Sequence, residues 1–336
     1  MDDKLFITGS YATKDEASIC VWNLEQSTGK INKLEELTGF LNPSYLVTSK
    51  DKKRLYAISE FADAGEVIAF ALERSGRPKL LNKFPTEGKV ACHLAVRDNL
   101  LVVANYVSGS LSVLLLDEYG GLKKVVGEVV NQPAGGHAHY VCFYEDIDRL
   151  LAVDLGLDKV FVYGADLQTG RLFELEKEEI LLPKGSGPRH LIRHPNKSDF
   201  AYVICEYSSQ VYTIKVANNP QVIQCVSTLP EDCMTESFAA AIRLSPDGKF
   251  LYASNRGFDS IAVFSIKENG LLDLMRIVPV KGQYPRDLYI FGDFAIIVYQ
   301  KSDLLEVFAV DRKTGLLLET GISANTTSPV CICPVT

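Results

Sequence analysis

One histidine, two arginines and three carboxylates stand at matching points of a phrase that recurs along this chain. The clearest copy is SPDGKFLYASNRGFDSIAVFSI, residues 245–266, and degenerate copies follow at roughly 45 to 50 residues, the period of a repeat architecture. Two columns of side chains emerge when the copies are aligned. At the start of the first strand stand Ser44, Cys92, His139, Arg189, Ala240, Arg286 and Val330. At the end of the second strand stand Gly9, Glu60, Asn105, Asp154, Glu206, Asn255 and Gln300. An imidazole titrating at about 6.5 can move a proton near neutral pH. A guanidinium, permanently charged, can hold an anion or a developing oxyanion. Burying unpaired charge costs several kcal/mol, so a purely structural centre would favour small or apolar side chains there.

Each of these residues also has a plainer use. Carboxylates and arginines can pair with one another and cap strand ends, and Glu60, Asp154 and Asn105 suit that role best. Arg256 and Arg286 are candidates for a substrate phosphate or carboxylate, or for salt bridges to Asp259, Asp287 or the carboxylates of the ring. All five histidines, His93, His137, His139, His190 and His194, fall at or beside a first strand. Alternation along a strand predicts that His190 faces away from Arg189, while His137 and His139 share a face.

The elements that must position these groups are strands. Each copy offers a short apolar strand, a tight polar turn, a second strand rich in β-branched and aromatic residues, and a third with period-two alternation such as SIAVFSI. A glycine-containing hairpin then introduces a fourth strand, except that the fourth repeat, counted from Ser44, uses Asn218-Asn219-Pro220. Four short strands per repeat read as a propeller blade. The expected fold is all-β: a seven-bladed β-propeller of four-stranded antiparallel blades, one domain over residues 1–336. The chain opens on a second strand, LFITG, and closes on a first strand, VCICPV, so the last strand should complete the N-terminal blade and remove the open edge. Two longer connections, 129–138 and 226–238, belong to the face where both columns converge.

Composition narrows the function. A formal charge of −7 and a pI near 5.4 supply no basic stripe for nucleic acid, though a local arginine cluster can still hold a small anion. No apolar run of about 18 residues suggests a membrane span. Eight cysteines without a CxxC pair suit reduced, packed thiols in a cytoplasmic protein, a monomer or weak homodimer.

GPRHLIRHP around Arg189, the run from Ser245, STLPE at 227–231, HAH at 137–139, YPRDL at 284–288 and DRKTGLLL near the C-terminus together make the chain resemble the lactonase family of seven-bladed propellers. That family includes bacterial propeller-type 6-phosphogluconolactonases and fungal carboxy-muconate lactonizing enzymes. The resemblance runs over nearly the whole chain and implies hydrolysis of a lactone, 6-phosphogluconolactone first among them, with no cofactor and no metal. It places the catalytic roles on His139, Arg189 and Glu206. His139 would act as base, Glu206 would orient it or serve as acid, and Arg189 would stabilise the oxyanion. Glu60, Asn105, Asp154, Asn255, Gln300, His137, Arg256 and Arg286 would form the substrate-binding wall. One departure is Phe258-Asp259, where the family often has His-Asp.

Two rival readings use the same ring. Carboxylates and amides converging on an axis are ligands for a divalent cation, against which the arginines would act; a muconate-type lactonase is a further variant. A non-catalytic interaction platform would need no histidine, arginine and carboxylate at its axis.

Overall fold

A computed structural model describes residues 3–126, 130–131, 133–144, 149–175, 179–216 and 220–336, with backbone alone for 130 and 131. Among these residues every assigned element is a strand. The strands form seven antiparallel sheets, each a four-stranded meander. Blade 2 runs Leu46–Thr48, Arg54–Phe61, Ala64–Leu72 and Pro78–Pro85; blade 6 runs Phe238–Leu244, Phe250–Arg256, Ser260–Ile266 and Leu272–Pro279. Blades 3 and 4 each carry a two-residue fifth strand, Val130–Asn131 and Ile180–Leu181. The Asn218-Asn219 turn and part of the 129–138 connection lie outside the described residues.

The ring closes as expected. Pro329–Pro334 is the innermost strand of blade 1 and pairs with Lys4–Ser10, Ile7 opposite Cys333 and Gly9 opposite Cys331. Closure gives the N-terminal blade the same four strands as its neighbours and covers the inner edge of Lys4–Ser10.

Both faces of a middle strand are covered by neighbouring blades, so these strands are apolar throughout rather than alternating. All six residues of Leu100–Asn105 are buried, whereas the outer strand Ile31–Leu37 is largely exposed. Seven apolar clusters result, one at each blade-to-blade interface, with Trp22, Phe6 and Phe291 among the residues joining blade 1 to blade 7. A second device repeats at these interfaces. The hydroxyls of Tyr56, Tyr202 and Tyr252 donate to the turn carbonyls of Gly120, Gly270 and Gly315 in the following blade, each at 2.9 Å. At Gly270, with φ of +79°, a Cβ would sit 2.7 Å from the Phe200 ring, so only glycine allows the next blade this close.

Candidate active site

The side chains on the axis are there because strand pairing breaks at the same place in blade after blade. Ala91 faces Asn105 and His93 faces Ala104, so Cys92 is skipped. His139, Arg189 and Arg286 are skipped likewise between Ala138 and Tyr140, Pro188 and His190, and Pro285 and Asp287. Ala240 falls in the break between Ala239 and Ile242, and Val330 between Pro329 and Cys331. A β-bulge leaves its extra residue out of the ladder and re-aims the side chain. Ser44, Cys92, His139, Arg189, Arg286 and Val330 accordingly line one axial cavity of about 20 Å³, room for a single water. The bulge also overturns the expected direction of His190: Arg189 Nη1 donates to His190 Nε2 at 3.0 Å.

The second column divides between two registers. Asn105, Asp154 and Asn255 are wholly buried and do not line the axial cavity. Asn105 donates to Ser112 Oγ at 2.9 Å, Asp154 accepts from the amides of His137 and Leu157 at 2.9 Å each, and Asn255 donates to Thr228 O at 2.9 Å. All three fasten a connecting loop or strand turn. Glu60, Glu206 and Gln300 occupy the next position along. Their amides bond the carbonyls of Asn42, Gly187 and Tyr284, and the amides of Tyr11, Tyr106 and Leu155 make the equivalent bond to Ser328, Val90 and His137. The structural ring at the mouth is therefore Tyr11, Glu60, Tyr106, Leu155, Glu206, Arg256 and Gln300. Tyr11 and Tyr106 were missed in the sequence because alignment on Gly9 and Asn105 falls short of them.

Tyr106 unites the two histidines of HAH. His137 stacks on its ring at 4.6 Å and donates Nδ1–H to its carbonyl at 3.0 Å, while His139 meets the ring edge-on at 5.6 Å. Gln300 Oε1 is buried without a protein partner.

Glu206 lies on arginines rather than on His139. Its Oε2 accepts from Arg189 Nε at 3.0 Å and from Arg256 Nη2 at 2.8 Å. Arg256 is further fixed by the carbonyls of Phe238 and Ala239, and makes no bridge to Asp259, which instead caps the amides of Gly257 and Tyr284. Arg189 spends Nη1 on His190 and on Ala240 O, which leaves both Nη2 hydrogens without an acceptor among the described residues. Across the cavity, Glu60 Oε2 accepts from Tyr11 Oη at 2.9 Å and Ser44 Oγ at 2.5 Å, and Arg286 Nη2 donates to Tyr11 Oη at 3.1 Å. Asp287 pairs with Arg243 at 2.7 Å, not with Arg286.

Arg189, Arg286 and Glu60 line the cavity, and Arg256 and Glu206 stand beside it through the Arg189 bridge, so three guanidiniums meet two carboxylates and the site is positive. Burial, then repulsion from Arg286 and Arg256, pulls Arg189 down to about 9. Burial pushes the Glu206 carboxyl up, but Arg256, Arg189 and Arg286 outweigh it and hold the group below its ordinary value. Burial, followed by the charges of Arg189 and Arg286, drives His139 well below 6.5, so the imidazole is neutral at physiological pH. Its Nδ1 is buried without a partner. Such a donor set suits an anion and repels a divalent cation.

A larger cavity of about 880 Å³ opens at the opposite end of the axis, among the turns at Lys50–Lys52 and Asp98–Asn99. Its deepest charge, Arg243, is already neutralised by Asp287. The smaller cavity is the one where His139, Arg189 and Arg286 meet.

Residues 5–334 match the family described as Lactonase, 7-bladed beta-propeller. The chain is 31% identical to the 6-phosphogluconolactonase of Bacillus subtilis over 341 aligned positions, covering 96% of each protein. It is 32% identical to the 6-phosphogluconolactonase of Formosa agariphila, covering 92% of this chain and 93% of that one. The structure of a periplasmic gluconolactonase from Pseudomonas aeruginosa superposes with a TM-score of 0.94 at 29% identity, over 100% of this chain and 99% of that one. The chain thus belongs to the seven-bladed β-propeller lactonase family.

Proposed function

We propose that this protein is a carboxylic ester hydrolase that opens an anionic sugar lactone, 6-phosphogluconolactone foremost, giving 6-phosphogluconate for the pentose phosphate pathway. The observation that carries this reading is the axial cavity lined by neutral His139, Arg189 and Arg286, with Arg256 joined to it through Glu206. Water attacks the lactone carbonyl carbon while His139 accepts its proton. The oxyanion that forms lies against the uncommitted Nη2 hydrogens of Arg189. As the intermediate collapses, the bond from the carbonyl carbon to the ring oxygen breaks and the His139 imidazolium returns the proton to the departing oxygen. Burial beside arginines makes that imidazolium a strong acid, which favours the second transfer. Glu206 holds Arg189 and Arg256 in place instead of orienting the base. Arg256 meets the phosphate, Arg286 faces the ring substituents, and His137 and Gln300 complete the wall of the mouth. Asn105, Asp154 and Asn255 act behind that wall, on its loops.

The eight free thiols suit a reducing cytoplasm, and the working unit is a monomer or weak homodimer. The test is hydrolysis of 6-phosphogluconolactone and gluconolactone by wild type and His139→Gln, corrected for spontaneous opening. Loss of about 10²- to 10⁴-fold, the usual contribution of a positioned base, is expected; an unchanged rate in a folded variant refutes the assignment.

A further inference from the structure

The two carboxylates of the cavity are held in opposite ways. Glu206 is bound directly by two guanidiniums. Glu60 makes no ion pair: Arg286 reaches it only through the Tyr11 hydroxyl, which accepts from Arg286 and donates to Glu60. Ser44 occupies the same oxygen of Glu60, so Oε1 keeps both lone pairs for a ligand. Arg286 has given one hydrogen to Tyr11 and retains four N–H donors without an acceptor among the described residues. Both groups line the cavity beside His139.

An acceptor and a donor kept apart by a neutral spacer form a receptor for hydroxyl groups, since each sugar hydroxyl can donate to a carboxylate and accept from a guanidinium at once. A direct salt bridge would consume the atoms needed for this. The alternative partner is excluded by the ladder, because the neighbouring Asp287 is committed to Arg243. Burial pushes the Tyr11 phenol up to about 12, with Arg286 and Glu60 acting in opposite directions, so the spacer stays protonated and neutral over the working range.

We propose that Tyr11, Glu60 and Arg286 form a hydroxyl-reading half-site that selects polyhydroxylated lactones over lactones bearing no hydroxyls. The inference rests on the lactone-opening function proposed above, yet it concerns recognition and has a readout of its own. The experiment compares kcat/KM for gluconolactone and δ-valerolactone in wild type, Tyr11→Phe and Glu60→Gln, alongside calorimetric binding of gluconate and 5-hydroxypentanoate. The wild-type preference for the hydroxylated partner, in rate and in binding, should fall by about 10- to 100-fold in each variant, the worth of a hydrogen bond to a charged group. A preference within twofold of wild type in both folded variants overturns the half-site, as does wild-type protein that binds the two acids equally. If wild type hydrolyses neither lactone but binds gluconate through Tyr11, the reaction fails and the half-site stands.

Discussion

Acid should unfold this protein through its axis. His93, His139 and His190 are 3%, 6% and 5% exposed, and each is driven well below 6.5, first by burial and then by arginines including Arg189. In the unfolded chain they titrate at about 6.5. Between that value and their lower folded values the unfolded state binds more protons, so stability rises with pH and is lost as pH falls below 6.5. Lowering pH from 7.5 to 5.5 costs about 1.4 kcal/mol per imidazole that stays neutral in the fold, about 4 kcal/mol for three, a large part of a typical total of about 5–15 kcal/mol. Buried Asp154 and Asp287 are raised above their ordinary value of 3.8, by burial first, and any contribution from them has the opposite sign. The assay is urea unfolding at both pH values, followed by tryptophan fluorescence of Trp22, with wild type and His93→Gln. His93 is sandwiched between Tyr45 and Tyr140 at 4.0 Å from each ring. The glutamine variant should lose about one third of the pH-dependent drop. Equal stability at the two pH values, or an unchanged drop in the variant, refutes the reasoning.

Glu206→Gln leaves three guanidiniums balanced by Glu60 alone, and breaking a buried pair costs about 3–5 kcal/mol. At about 2.1 cal/mol/K per residue over 336 residues, the melting temperature should fall by about 4–7 °C and recover with saturating phosphate; calorimetry showing no fall contradicts the ion-pair account. Deleting residues 328–336 removes Val330, Cys331, Ile332, Cys333 and Val335, each 1–5% exposed. At about 1.5–3 kcal/mol for a fully buried apolar side chain, the loss rivals total stability, so the truncated chain should show no cooperative unfolding transition; a wild-type melting curve would argue against closure by this strand. Lactone hydrolysis should persist after dialysis against a chelator, and activity that disappears and returns with calcium or zinc would replace the histidine mechanism with a metal-assisted one.

The period of the copies and the start and end of the chain made the propeller and its closure legible, because middle strands buried on both faces leave long apolar runs such as LLVVAN. The first-strand column was legible too, since His139, Arg189 and Arg286 each stand second in their strands, at the same point of the repeat. The second column was readable only to within one residue. Asn105, Asp154 and Asn255 stand at or next to the ends of their strands, as do the polar residues of the mouth one position on, and only the backbone bond to the preceding connection tells the two positions apart. Tyr11 was hidden because the copy that begins the chain places Gly9 opposite Cys331 and turns inward two residues later. The partnership of Arg189 with His190 was invisible for a related reason: strict alternation forbids it, and a bulge leaves no mark in a single sequence.

That bulge separates what the blades need from what the axis offers. A residue outside the ladder contributes nothing to register and shares little of the interface packing, so it can be exchanged without retuning either. Six such sockets surround one channel, and Ala240 and Val330 are the two filled with plain hydrocarbon. Introducing a donor or acceptor at either would extend the wall of the channel toward a new substituent, while the fourfold strands behind it keep their present order.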